Sequence, residues 1–243
     1  MKSDDQHQVD RAYGFGSSQS GRFLRQFLYE GFNESESGTR VFDGLQINVA
    51  GAGRGSFNHR FAQPSRHASA HFDVYYPTEE FPFADAPQQD GRDGLRGGLF
   101  DRALECGVLP KVFHVNSSTE YWNRGAALTH VDVAGERDLP THDAARIYHF
   151  ASTQHGADGL PEGQEDLPGN PVDFRLGHRA LLLALDAWVR QGREPPPSCY
   201  PTLADATLVD PQGAAFTFPP LAVLGRPAAP RVVRRLDFGR RWS

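Results

Sequence analysis

Residues 12–24 (AYGFGSSQSGRFL) constrain the fold more than any other stretch of this sequence. An apolar, strand-like run passes through a cluster of small residues and enters a helical pattern at once. A turn this tight lifts one side chain above the edge of a sheet and aims the N–H groups of the following helix at the same point. Gly16, Ser20 and Gly21 are small enough for the close approach of strand and helix. We therefore predict a nucleophile elbow with Ser18 as the nucleophile.

Residues 12–24 also allow two other interpretations. The match to the usual G-x-S-x-G pattern is imperfect, because Ser20 stands where the second glycine is expected. A serine-rich helix N-cap after a strand would give a similar sequence. The spacing of Gly16 and Gly21 also fits a phosphate-binding loop, but Arg22 and Phe23 replace the lysine and the hydroxyl residue that such a loop needs. The nucleotide-binding interpretation is therefore disfavoured.

Length and charge exclude several classes of protein. The chain has 243 residues, 39% of them hydrophobic, which is enough for a single globular domain over residues 1–243. A net charge of -5 without any basic run argues against nucleic acid or an anionic membrane as a partner. The polar N-terminus has no features of a secretory signal, so the product as encoded is expected in the cytoplasm. Cys106 and Cys199 form no metal-like or redox pair; they either pair with each other or, as we expect inside a cell, are free thiols.

Strand-like and helix-like patterns alternate along the rest of the chain. After the elbow strand and an amphipathic helix over residues 23–32, the patterns predict strands at 42–50, 110–116 and 145–151 and helices at 99–105 and 176–191. No hairpin turns separate these strands, which favours parallel pairing through crossover connections. The predicted fold class is α/β, with a mostly parallel sheet of about four strands and flanking helices.

Two segments depart from this alternation. Residues 56–98 are rich in aromatic residues, proline and histidine, and we interpret them as a long, lid-like excursion over the site. His67 and His71 have a helical spacing within it, but no third ligand accompanies them, so a metal site is not expected. Residues 195–243 are proline-rich with little periodicity and are expected to wrap the surface in extended form.

Three polar residues follow three of the predicted strands. A serine hydroxyl needs a base to remove its proton, and the base works best when a carboxylate fixes its tautomer. Ser18, Glu120 and His155 supply these three groups at the carboxyl ends of strands, where sites lie in open α/β sheets. Asp132 or Asp138 could replace Glu120 as the acid. The order serine, acid, histidine is the one found in α/β-hydrolases.

The sequence resembles a bacterial α/β-hydrolase-domain family over most of its length. The resemblance is carried by GSSQSGRFL at 16–24, FLYEGFN at 27–33, RFAQP at 60–64, SSTEYW at 117–122, QHG at 154–156 and ALDAWV at 184–189. The elbow is also similar to that of glucuronoyl esterases, which have arginine where this chain has Gln19. The resemblance implies a serine esterase that needs no metal or cofactor and acts on a small-molecule or carbohydrate-linked ester. The backbone N–H of Gln19 would bind the oxyanion.

The resemblance also implies that this chain corresponds to the C-terminal half of a longer α/β-hydrolase fold. An N-terminal part could then carry an export signal, and it would contain strands that flank the elbow strand. Without them, the elbow strand would be an unprotected apolar edge. We therefore expect self-association or pairing with a complementary N-terminal chain, and weak activity on its own. The alternative function is that of a non-catalytic remnant that binds a partner through its aromatic excursion.

Overall fold

The structure, a computed structural model, describes residues 9–55, 57, 80–92, 94–157 and 169–213. Six strands and four α-helices lie in these residues. In chain order they are β1 (Tyr13–Ser17), α1 (Gln19–Tyr29), β2 (Gly44–Asn48), β3 (Gln88–Gln89), β4 (Arg96–Gly97), α2 (Asp101–Glu105), β5 (Lys111–Ser117), α3 (Ser118–Asn123), β6 (Ala145–Phe150) and α4 (Arg175–Gln191). A short 3-10 helix, Ala126–Thr129, follows α3.

Four of the strands form one parallel sheet in the order β1-β2-β5-β6. The pairing is in register across the whole sheet, since Gly16 lies opposite Ile47, Ile47 opposite His114, and His114 opposite Ile147. Each crossover between neighbours carries helical structure, as parallel pairing requires. The predicted α/β class with a four-stranded parallel sheet is confirmed, and all four strands deliver their carboxyl ends to the same edge.

Helices cover both faces of this sheet. On one face, α1 packs against β1 and β2, and on the other, α4 packs against β2 and β5. The first apolar cluster contains Leu24, Leu28, Leu45, Ile47, Leu99, Phe100 and Val112, and the second contains Phe113, Val115, Tyr148, Leu181, Leu185 and Trp188. Burial on both faces explains why the central strand β5 is buried along nearly its whole length with little alternation.

Helix α1 begins earlier than the hydrophobic pattern predicts. The apolar stripe starts at Phe23, but the helix starts at Gln19, because its first turn is made of small and polar residues that carry no stripe. It ends at Tyr29, and Gly31 with φ of 75° turns the chain away. Phe32, predicted to be in the helix, lies beyond it and is half-exposed.

Part of the predicted excursion contains a small hairpin. β3 and β4 pair antiparallel, with Gln88 opposite Gly97. Strands of two residues are too short to show a periodic pattern, so they could not be predicted from periodicity. His67 and His71 lie outside the described residues, and the interpretation of residues 56–98 as a lid stays a prediction.

The two edges of the described sheet differ. The β6 edge is covered by the segment after α4, where Cys199 exchanges backbone hydrogen bonds with Ile147 and His149 at 2.9 and 2.8 Å. β1 pairs only with β2 among the described residues, so self-association or pairing with another chain at this edge stays a prediction. Both cysteines are free thiols. In the part of the chain that the structure describes, no helix has the length and apolar character to cross a bilayer.

Candidate active site

Ser18 lies at the strained turn between β1 and α1. Its backbone has φ of 58° and ψ of -116°, a conformation that a non-glycine residue adopts only when its surroundings hold it there. Its N–H donates to the carbonyl of Asn48 at 2.9 Å, which ties the turn to the end of β2. A Cβ atom on Gly16 would lie 2.5 Å from the Ser20 carbonyl oxygen, and one on Gly21 would lie 2.7 Å from that of Asn48. The turn therefore requires glycine at both positions.

The Ser18 hydroxyl is directed away from the helix that it precedes. Ser18 occupies the N-cap position of α1, but its side chain makes no capping hydrogen bond. Its Oγ instead lies 2.8 Å from Nε2 of His155. This geometry disfavours the simple N-cap interpretation, because a capping serine uses its oxygen to accept an N–H of the first helical turn.

The other nitrogen of His155 contacts Glu120. Nδ1 lies 2.6 Å from Oε1 of this carboxylate, which is fully buried. The second oxygen, Oε2, accepts hydrogen bonds from the backbone N–H and the hydroxyl of Ser117, at 3.0 and 2.5 Å. Ser117 and Glu120 thus form a capping box at the start of α3, and the Ser117 oxygen also accepts the N–H of Thr119. The capping box fixes the Glu120 side chain and leaves one oxygen for His155.

The two aspartates that the sequence offered as alternative acids have other partners. Asp132 pairs with the Arg137 side chain at 3.0 Å, which together with backbone N–H groups lowers the pKa of Asp132 against the effect of burial. Asp138 accepts the N–H groups of Leu203 and Ala204. The carboxylate that reaches His155 is that of Glu120.

Several residues around the site were not singled out from the sequence. Ser117 holds the acid, Ser118 contacts the loop that carries His155, and His149 contacts Ser118. The S-x-x-E spacing of residues 117–120 is the pattern of a capping box and would have indicated the role of Ser117. No local pattern indicates a role for His149, because its partner Ser118 follows a different strand of the sheet.

A cavity of about 560 Å³ lies apart from these three residues. It is lined by the β3–β4 hairpin and by the segment after α3, including Phe83, Gln88, Asp90, Leu128 and Arg137. Elsewhere in the described ranges, no three histidine, cysteine or acidic side chains gather closely enough to hold a metal ion. The hydrogen-bonded chain of Ser18, His155 and Glu120 is therefore the cluster with the clearest chemistry.

The sheet is parallel, has helices on both faces, and has polar groups beyond the carboxyl ends of its strands. These features define an α/β protein with its site at one edge of the sheet. The model of a family described as an alpha/beta hydrolase domain matches residues 4–217, and the chain belongs to that family. Membership supports hydrolase activity in general. Searches of curated proteins and of solved structures gave no match.

Proposed function

We propose that this protein is a serine hydrolase that cleaves a carboxylic ester through Ser18, His155 and Glu120. The observation that carries the proposal is the unbroken chain of hydrogen bonds from the Ser18 hydroxyl through both nitrogens of His155 to Glu120. His155 lies 137 positions from Ser18 and 35 from Glu120 in the sequence, and nothing in the local backbone requires the contacts. Nucleophile, base and orienting acid in this geometry are the parts of an acyl-transfer site.

The charge of Glu120 sets the direction of the protons. An ionised carboxylate only accepts hydrogen bonds, so His155 donates its Nδ1–H to Glu120 and keeps a lone pair on Nε2. That lone pair accepts the proton of the Ser18 hydroxyl. The arrangement is the one a general base needs, and the buried carboxylate also stabilises the imidazolium that forms when the proton is taken.

The reaction then follows in two steps. Ser18 Oγ bonds to the ester carbonyl carbon while its proton moves to Nε2 of His155. The bond to the alcohol oxygen breaks as His155 gives that proton to the leaving alcohol, which leaves an acyl group on Ser18. Water attacks this acyl group with the same proton transfers and releases the carboxylic acid and free Ser18.

Gln19 is proposed to bind the oxyanion of each tetrahedral intermediate through its backbone N–H. It follows the nucleophile directly and is the first residue of α1. In strand-to-helix elbows this N–H points to the same side as the nucleophile, and the helix dipole favours negative charge there. The side chain of His155 is 45% exposed, so a substrate can reach the site from solvent. A small-molecule or carbohydrate-linked ester fits such an open site.

The test is covalent labelling together with hydrolysis. We expect a fluorophosphonate probe to label the protein, and Ser18→Ala to abolish both labelling and hydrolysis of short-chain aryl esters. Alanine is as strained as serine at this backbone conformation, so the variant keeps the fold comparable. Ser20→Ala, an exposed serine two residues away, is the matched control and should keep both activities. Equal labelling of the parent and Ser18→Ala would refute the nucleophile, and a comparison of aryl acetates with a methyl uronate ester would sharpen the substrate class.

A further inference from the structure

One residue of α3, Ser118, makes two hydrogen bonds to the backbone of the loop that carries His155. We define the His155 loop as residues 151–156. The backbone N–H of Ser118 donates to the Thr153 carbonyl at 3.2 Å, and the Ser118 hydroxyl oxygen accepts the Ser152 N–H at 2.9 Å. Ser118 therefore fixes two successive residues of the loop, two and three positions before His155.

Ser152 needs such a support because its backbone is strained. Its φ of 58° is in the left-handed region, which a serine adopts only when its surroundings hold it there. Its carbonyl accepts the side-chain amide of Asn170, and the N–H of Asn170 donates to the side chain of Gln154. The loop is thus held from two sides, by Ser118 and by Asn170, and only Ser118 lies on the helix that also carries Glu120.

His149 completes the contact on the other side of the Ser118 hydroxyl. Its Nε2 lies 3.2 Å from Ser118 Oγ, and its ring packs against Tyr121 with centroids 4.5 Å apart. The Ser118 hydroxyl has one proton to donate, and in the arrangement proposed here it goes to His149 Nε2 while the oxygen accepts the Ser152 N–H. Burial lowers the pKa of His149 against the opposing charge of Glu120, and the neutral ring has the acceptor nitrogen that this contact needs.

We propose that Ser118 and His149 act as a positioning pair that sets His155 against Ser18 and Glu120. The two neighbouring serines have different roles, since Ser117 orients the acid and Ser118 orients the loop of the base. The 2.6 and 2.8 Å contacts of His155 require that α3 and the His155 loop keep a fixed distance, and Ser118 joins them. The inference rests on the proposed function and adds two residues to it.

The first variant removes the Ser118 hydroxyl. Ser118→Ala is expected to lower kcat by about 10- to 100-fold with little change in KM, because a small misplacement of the base slows proton transfer without altering ester binding. Ser118→Thr keeps the hydroxyl and should restore most of kcat. Thr119→Ala is the matched control, since this neighbouring hydroxyl makes no hydrogen bond among the described residues, and it should leave kcat unchanged.

The second set of variants addresses His149. His149→Phe keeps the ring packing but removes the acceptor, and kcat should fall as it does in Ser118→Ala. His149→Gln offers an amide oxygen to the hydroxyl and should recover much of the loss. If the two residues act as a pair, the double variant Ser118→Ala with His149→Phe should be no slower than the slower single variant.

The outcomes separate this inference from the proposed function. Hydrolysis that survives in Ser18→Ala would refute the proposed function, whatever Ser118 does. If Ser18→Ala is inactive but Ser118→Ala has the kcat of Thr119→Ala, the positioning pair is wrong and the proposed function stands. If Ser118→Ala does not fold, the comparison of His149→Phe with His149→Gln decides, and equal kcat values for these two variants would overturn the pair.

Discussion

Two histidine–carboxylate pairs lie in the residues that the structure describes, and we expect their roles to differ. His155 contacts Glu120 at 2.6 Å, and its other nitrogen lies 2.8 Å from the Ser18 hydroxyl. His114 contacts Asp85 at 3.0 Å, and its other nitrogen lies 3.5 Å from a guanidinium nitrogen of Arg25. The first histidine side chain is 45% exposed and the second 2% exposed. Both histidines have a carboxylate partner; His155 differs in having an accessible nitrogen beside the Ser18 hydroxyl, and its proposed role as a base depends on that contact.

The partner of the second nitrogen decides the role. A guanidinium only donates, so Nδ1 of His114 accepts and its Nε2–H is given to Asp85. Burial lowers the pKa of Arg25 to about 10, against the charge of Asp85, and it is still charged at neutral pH. Arg25 also donates to the carbonyls of Gly53, Ala52 and Phe83. This buried network joins α1 to two loops and stabilises the helix that begins at the elbow.

The largest effect on kcat is expected from His155, the more exposed of the two histidines. His155→Ala should lower kcat for ester hydrolysis by about 10⁴-fold or more, because the base is lost while the nucleophile remains. The free energy of unfolding should fall by about 1 to 3 kcal/mol, because the buried Glu120 carboxylate loses its hydrogen bond from His155. Steady-state kinetics and urea unfolding measure the two quantities. Hydrolysis within tenfold of the parent would contradict the role of His155.

We expect replacement of Glu120 to lower kcat almost as much as replacement of His155, for a different reason. In Glu120→Gln, the amide oxygen can still accept from Ser117, and the NH₂ group then faces Nδ1 of His155. The imidazole would take the other tautomer, with its proton on Nε2, and kcat should fall by about 10³- to 10⁴-fold.

The capping box of Ser117 and Glu120 provides a stability control for Glu120→Gln. Glu120→Gln should unfold within about 1 kcal/mol of the parent, whereas Glu120→Ala should lose activity and also about 1 to 3 kcal/mol of stability, because two donors of Ser117 are left unpaired. Full activity in Glu120→Gln would show that another group orients His155.

We expect a substitution in the buried pair of His114 and Asp85 to lower stability and leave kcat nearly unchanged. Asp85→Ala leaves the Nε2–H of His114 without its acceptor and removes the negative charge that faces the buried Arg25, and we expect a loss of about 3 to 5 kcal/mol in the free energy of unfolding. The kcat of the folded protein should change by less than a factor of a few. Asp143→Ala, at an exposed aspartate, is the control for removing a carboxylate and should be neutral. Loss of kcat in a folded Asp85→Ala variant would place this pair in the catalytic machinery.

The smallest effect concerns His130, a buried histidine that has no carboxylate in hydrogen-bonding contact among the described residues. Burial lowers its pKa from 6.5 to about 4, against the charge of Asp138; the rings of Tyr121 and Tyr200 and the titratable imidazole of His149 also face it. The unfolded chain therefore binds a proton between pH 6.5 and 4 that the folded chain does not.

The sign of the pH dependence follows from this difference. The contribution of His130 to stability is fully present above pH 6.5 and is lost as the pH falls towards 4, by an amount on the order of 2 kcal/mol. Urea unfolding at about pH 7 and about pH 4.5 measures it, and His130→Phe should show a smaller loss over the same interval. If His130→Phe loses as much stability between these two pH values as the parent does, other groups are responsible for the pH dependence.

The fold followed from the sequence because its information is local. Apolar runs with helical stripes between them indicated strands and helices in their places, and the absence of hairpin turns indicated a parallel sheet. The errors lie where the local pattern is weak: α1 starts four residues before its apolar stripe, and the two-residue strands β3 and β4 have no periodicity.

For the site, the sequence determined which residues stand at the carboxyl ends of strands. Ser18, Glu120 and His155 follow β1, β5 and β6, and a parallel sheet must bring such positions to one edge. This position after a strand, together with the elbow pattern at Ser18, singled out the three residues in a chain with 10 histidines and 30 acidic residues, and it left Asp132 and Asp138 open as alternative acids.

Only the tertiary structure decided which side chains touch. The contacts of His155 with Ser18, of His114 with Asp85, and of His149 with Ser118 span between 29 and 137 residues. Each depends on the rotamers and packing of two elements that the chain pattern specifies separately. Local periodicity encodes where a backbone goes, whereas a hydrogen bond of 2.6 to 3.2 Å is set by how the packed elements orient their side chains, and that orientation exists only in the folded molecule.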